Sequence, residues 1–125
     1  MAFEESLESI TREAAADLSA KQYLFMSIDS NGRINSTGAG LQADGVLQND
    51  PAALGRAGTL GFDGVSKVVA AAAIAKGALV ASDASGKAVT AATGNRVLGI
   101  ALEAATANND IIAVNLRLQG GPVAP

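Results

Sequence analysis

Two stretches of this chain follow one plan, and that plan limits the fold more than any other feature. Asp29-Ser-Asn-Gly32-Arg33 recurs as Asp83-Ala-Ser-Gly86-Lys87, 54 residues on. Ala20-Lys21 ahead of Leu24 recurs as Ala75-Lys76 ahead of Leu79, and Gly45-Val46 recurs as Gly99-Ile100. Thr59-Leu60-Gly61-Phe62 matches Ile112-Ala113-Val114-Asn115 in apolar register. The offset stays between 53 and 55 residues, a drift that small loop deletions produce. Four landmarks in one order weigh against coincidence, even in a Gly- and Ala-rich chain. The unit reads strand, Asp-x-x-Gly-basic turn, strand, Gly-led strand, loop, strand. Two such units, about residues 20–66 and 75–118, are expected to pack with pseudo-two-fold symmetry, because each is too small to bury its own apolar face.

Between the landmarks the signals are strands and turns. Residues 23–29 are rich in aromatic and aliphatic side chains and end in a turn whose Asn31 and Gly32 tolerate positive φ. Asp44-Gly45 opens a short strand over 46–48, and Asn49-Asp50-Pro51 marks a loop. Residues 58–63 and 65–70 read as two strands around Asp63-Gly64, a hairpin signal. The alanine run 70–75 favours helix but is too short to stand alone, so a strand end and a brief turn are expected. Residues 79–82 and 87–90 flank the second Asp-x-x-Gly turn. In 96–104, Leu98, Ile100 and Leu102 share one face; in 110–118, Ile112, Val114, Leu116 and Leu118 do. The pattern predicts a mainly β protein, a small barrel or sandwich of two pseudo-repeated units.

The ends differ from the core. In residues 1–19, Phe3, Leu7, Ile10, Ala14 and Leu18 recur at helical spacing among glutamates. Such a segment is either an amphipathic helix that docks on a partner or an extended terminal arm. The apolar stripe is one residue wide and Ser9-Ile10-Thr11 interrupts the helix formers, which favours the arm. Residues 119–125, Gly- and Pro-rich, are expected to be a flexible tail.

Composition excludes much chemistry. The chain has no cysteine and no histidine, so it lacks the thiolate nucleophile, the commonest general base and the usual zinc ligands. Its net charge is −3 and its nine basic residues are scattered, which argues against phosphate-driven binding to nucleic acid. The longest apolar run, 68–75, is far short of the roughly 20 residues of a membrane-spanning helix. The acidic start is unlike a secretory signal. With 27 alanines and only 3% aromatic residues the core is thin, so burial through oligomerisation would help.

The remaining motifs are weak. Gly38-Ala-Gly40 and Gly55-Arg-Ala-Gly58 lack the Gly-Lys-Ser/Thr ending of a phosphate loop. Asp29 and Asn31 resemble the start of a calcium loop, but no glutamate closes it, so they fit Asx turns. Asp44, Asp63 and Glu103 each sit at a turn or on a polar strand face, where solvation explains them without acid–base work. The string Ile74-Ala-Lys76-Gly77-Ala-Leu79-Val80 is like the turns of lipoyl- and biotinyl-carrying barrels. Lys87 follows a turn as a carrier lysine would, though its neighbours do not fit that pattern. No catalytic residue, cofactor or metal is expected.

Several stretches together carry a resemblance. They are Ala16-Asp-Leu-Ser-Ala-Lys-Gln-Tyr23, Gly45-Val-Leu-Gln-Asn-Asp-Pro51, Gly64-Val-Ser-Lys-Val68, the 74–80 string and Val97-Leu-Gly-Ile-Ala-Leu-Glu103. In order and spacing, over residues 16–118, the chain resembles the bacteriophage capsid cement or decoration proteins. That resemblance implies a β-tulip or barrel-like core and a structural, non-enzymatic protein of the virion, made in the host cytoplasm. It implies binding to the major capsid protein on the outside of an icosahedral head, clamping the lattice, commonly as a homotrimer. It also implies an N-terminal segment that reaches onto the lattice, making Phe3, Leu7, Ile10, Arg12 and Leu18 the candidate capsid contacts. Removing residues 1–18 would then end binding while leaving the core folded. Neither nucleic acid nor membrane is an expected partner. The alternative is a small β-barrel carrier or ligand-binding module.

Overall fold

A computed structural model describes Ala2, residues 5–118, Val123 and Ala124. Among these residues the chain is all strand and turn, with no helix. Nine strands occur: β1 (Glu5–Glu13), β2 (Phe25–Ile28), β3 (Ile34–Ser36), β4 (Gly45–Leu47), β5 (Ala57–Val69), β6 (Leu79–Ser82), β7 (Ala88–Thr90), β8 (Gly99–Ala101) and β9 (Ile111–Arg117). They join in the order β3-β2-β4-β5-β9-β8-β6-β7, with β1 added on β5. The mainly β, small-barrel fold is the one the turn spacing predicts.

The sheet curls into two barrels. β1 pairs with the first half of β5, β5 with β4, β4 with β2 and β2 with β3, all antiparallel. A parallel bridge from Ala14 to Ile34 brings the end of β1 back to β3 and closes a ring. The second half of β5 then pairs with β9, β9 with β8, β8 with β6 and β6 with β7. A parallel bridge from Ala70 to Ala88 closes that ring as well. Each bridge covers one residue of an end strand and shortens the free edge that an open sheet would expose.

The ladders repeat residue by residue. Met26 opposite Ser36 recurs as Val80 opposite Thr90, and Val46 opposite Gly61 as Ile100 opposite Asn115, each 54 residues on. The Asp-x-x-Gly turns match atom for atom. The Asp29 carboxylate accepts the Asn31 and Arg33 N–H groups at 2.9 and 3.0 Å, and that of Asp83 accepts those of Ser85 and Lys87 at 2.8 and 2.9 Å. Ile10 opposite Leu60 recurs as Ser66 opposite Val114, so β1 corresponds to the second half of β5 at an offset of 56. The repeat therefore begins at β1 rather than near residue 20, and β5 ends one unit and begins the next. The offset is 54 throughout β2–β9, so the landmarks aligned at 53 and 55 in the sequence slip by one.

Each barrel has its own core. Ala14, Leu18, Leu24, Met26, Ile34, Leu47 and Leu60 form one buried cluster. The equivalent Ala70, Ile74, Val80, Ala88, Ala101 and Val114 lie in the other. The second cluster also takes in Phe25, Val46 and Leu98, which join the barrels.

Several expectations are corrected. Residues 5–13 are neither a helix nor a detached arm; they are a strand on β5. The apparent helical spacing does not mark one face: Ile10 lies opposite Leu60 and packs on the first core, whereas Leu7 lies over Gly61 on the other side of the strand. Asp63-Gly64 is not a hairpin. Its upstream half pairs with β1 and β4 and its downstream half with β9, so neither half is free to pair with the other. Gly64, at φ 114°, lets the strand bend from one barrel to the next. Leu98, Ile100 and Leu102 do not share a buried face. Gly99 and Ala101 lie opposite Leu116 and Val114 and point inward with them, leaving Leu102 42% exposed. The tail is pinned at its end, where Ala124 exchanges hydrogen bonds with the Gly94 N–H and Asn95 carbonyl at 2.9 and 2.8 Å. Residues 119–122 and 125 lie outside the described residues.

Candidate functional site

The repeat exposes the functional geometry, because equivalent positions in the two barrels have different neighbours. In the second barrel, Ser66, Ser82, Leu98 and Leu116 are all buried. They lie beneath the outer face of the first barrel. Gln48 Nε2 donates to Ser66 Oγ at 2.9 Å, and the Phe25 N–H donates to the Gly86 carbonyl at 2.8 Å. Phe25 and Val46 are fully buried there with Leu98 and Leu116. A Cβ on Gly86 would stand 2.6 Å from the Phe25 carbonyl oxygen, so this contact requires glycine.

In the first barrel the corresponding positions are Ile10, Ile28, Asp44 and Phe62. They line an open groove of about 500 Å³, rimmed by Gln42, Ala43, Arg96 and Leu118. The Asp44 carboxylate accepts the Ile28 N–H at 2.7 Å. Gln42 Nε2 donates to the carbonyls of Ala43 and Leu118. The groove is thus an apolar floor with a fixed polar rim, the mix typical of recognition sites.

Two more surfaces are exposed. On the second barrel's outer face, Leu79, Ile100, Asn115 and Val65 form a cross-strand row. Leu79, Leu102 and Ile111 there are 39%, 42% and 47% exposed. Beside β1, a groove of about 460 Å³ is lined by Thr11, Arg12, Glu13, Asn31, Gly32, Arg33, Gly55 and Ala57. Arg33 Nε stands 3.7 Å from Glu13 Oε2, a solvent-exposed pair of little energetic weight.

The sequence-based contact residues scatter. Ile10 lines the apolar groove. Arg12 is exposed beside the polar groove, with Nη1 donating to the Thr11 carbonyl at 2.8 Å. Leu7 packs half-buried against the main core, beside Gly61. Leu18 is 3% exposed and belongs to the first barrel's core, so it is not presented to a partner. Phe3 lies outside the described residues. Sequence reasoning missed Ile28, Asp44 and Phe62 in the groove and Leu79 and Ile100 on the outer face. The repeat alignment held the signal, in positions where the halves differ in size or polarity.

The titratable groups do structural work. Asp29 is held below its usual value, first by the Arg33 N–H and then by that of Asn31. Asp110 is lowered by the Thr106 N–H and hydroxyl and by the Ala107 N–H. Glu103 is lowered chiefly by the Ala113 N–H at 2.9 Å. Lys87 Nζ donates to Asn108 Oδ1 and Asn109 Oδ1 at 3.2 and 2.8 Å, which ties down the lysine of the carrier alternative. Among the described residues no cluster of His, Cys, Asp or Glu could hold a metal ion.

Fold and surfaces define a class: a small tandem-barrel protein with one filled and one open barrel mouth, whose exposed features suit docking. The family model described as phage cement protein matches residues 8–117, from β1 to β9, and the chain belongs to that family. Its role is structural and associated with the phage capsid. Among solved structures, the head fiber N base of bacteriophage phi29 is similar. Its TM-score is 0.69 at 20% identity, over 89% of this chain and 94% of that one, a likeness of fold. A comparison with curated proteins finds no match.

Proposed function

We propose that the protein binds the outer surface of an icosahedral phage head, contacts the major capsid protein and stabilises its lattice as a homotrimer, without catalysis. The observation that carries this reading is the family match over the whole double barrel. The exposed apolar positions and the absence of histidine and cysteine agree with a binding role. Stabilisation follows from mass action. A ligand that binds only the assembled shell adds about 2.7 kcal/mol per site at a hundred times its Kd. Mixing the purified protein with undecorated heads should give saturable, stoichiometric co-sedimentation and heads that resist heating better. Heads that sediment without it would overturn the proposal.

A further inference from the structure

The two barrels meet in a one-way contact. The outer face of the first, carrying Phe25, Val46 and Gln48, fills the mouth of the second. A two-fold arrangement would bury equivalent faces alike. Instead Phe25 is 0% exposed and its equivalent Leu79 is 39% exposed. Each chain therefore ends with one unused face, Leu79–Ile100–Leu102, and one unused mouth, Ile10–Ile28–Phe62.

We propose that a second copy of this chain covers the open mouth with that face, repeating between chains the contact that joins the barrels within one. Two of the substitutions between the repeats are compensatory. Inside the chain, polar Gln48 meets polar Ser66. At the equivalent positions apolar Leu102 would meet apolar Ile10. Inside the chain, bulky Phe25 enters a mouth where Ser66 and Ser82 stand beside Leu98 and Leu116. The open mouth carries the larger Ile10, Ile28 and Phe62, with Asp44 in the place of Leu98, and the smaller Leu79 would enter it. The Gly86 carbonyl that receives the Phe25 N–H has its counterpart in Gly32, around which a Cβ would meet nothing within 4 Å. A one-way contact of this kind either closes into a ring or runs on as an open string, and a discrete homotrimer needs the ring. The inference rests on the proposed self-association and adds the surfaces that make it.

The chain has no cysteine, so introduced thiols report cleanly. In an Ile10→Cys, Leu102→Cys double variant, mild oxidation should give disulfide-linked multimers that collapse on reduction, and neither single variant should. A Leu79→Asp, Leu102→Asp variant should sediment as a monomer while keeping the wild-type circular dichroism and melting behaviour. An oligomer that persists through both aspartates and yields no inter-chain disulfide would overturn the assigned surfaces and leave self-association standing. A wild-type chain monomeric at every concentration would overturn both, and co-sedimentation with heads would still decide capsid binding separately.

Discussion

Gly77 and Tyr23 occupy the same place in the two repeats, and both have positive φ, 84° and 65°. The turn before β2 and β6 needs a left-handed residue. Glycine supplies it freely, whereas Tyr23 bears the strain while Lys67 Nζ lies 5.7 Å from its ring centroid. Nothing lies within 4 Å of a Cβ on Gly77, so Gly77→Ala should cost only the backbone term, about 1 kcal/mol. At Gly99 a Cβ would stand 2.6 Å from both the Asn115 carbonyl oxygen and Val114 Cγ1. Gly99→Ala should therefore cost more, in the range of about 1–3 kcal/mol for overpacking. Chemical denaturation of the pair separates the two effects. The Asp29 carboxylate gives a pH prediction. Its folded value lies below the ordinary 3.8, so its contribution is present above that value and lost as pH falls through the folded one. An Asp29→Asn variant should lose less stability than wild type between about pH 5 and 2 in acid titrations of the melting temperature. At this scale the sequence was readable where chemistry is local. The Asp-x-x-Gly turns declare their own hydrogen bonds, whereas nothing in a tyrosine announces positive φ.

The first strand shows what an element hides. Its apolar residues follow helical spacing although Leu7 over Gly61 and Ile10 opposite Leu60 lie on opposite faces of the strand. Without β5 in view, that pattern cannot be told from a helix. The same is true of Asp63-Gly64, a sound turn signal that long-range pairing with β9 overrides. The period-2 pattern of β9 was legible because one face is buried along its length: Ile112, Val114 and Leu116 all point inward. That of β8 failed because a three-residue strand whose inward residues are the small Gly99 and Ala101 carries little pattern. Because β1 leads to Ala14 and Leu18 in the first core, removing residues 1–18 should melt the first barrel rather than free an arm. Leu18→Ala alone should cost about 3 kcal/mol, as buried leucine truncations do. Thermal melting of both variants checks this, and a truncated chain with wild-type stability would return the segment to the status of an arm.

For the molecule as a whole, the duplication was visible and its geometry was not. Landmarks such as the paired Asp-x-x-Gly turns reveal two units, but they cannot tell a two-fold packing from a head-to-tail one. That distinction lies in the burial of Phe25 against Leu79, which depends on what covers each. The candidate site was hidden for the same reason. Ile10, Ile28 and Phe62 look like core residues in one dimension and become a groove because, among the described residues, no outer face covers them as Phe25 and Val46 cover the second mouth. Phe62→Glu should leave the fold intact, since Phe62 is only partly buried, and should weaken self-association measured by sedimentation.

The shared strand has a mechanical consequence. β5 runs 13 residues and forms a wall of both barrels, so no flexible linker separates them. Tension along β5 loads its ladders with β1, β4 and β9 in shear, where many hydrogen bonds must fail together. The molecule should stretch as one stiff bar and break in a single step. In the role proposed above, a bar held at both ends would resist their spreading, where a hinged pair of domains would simply follow it.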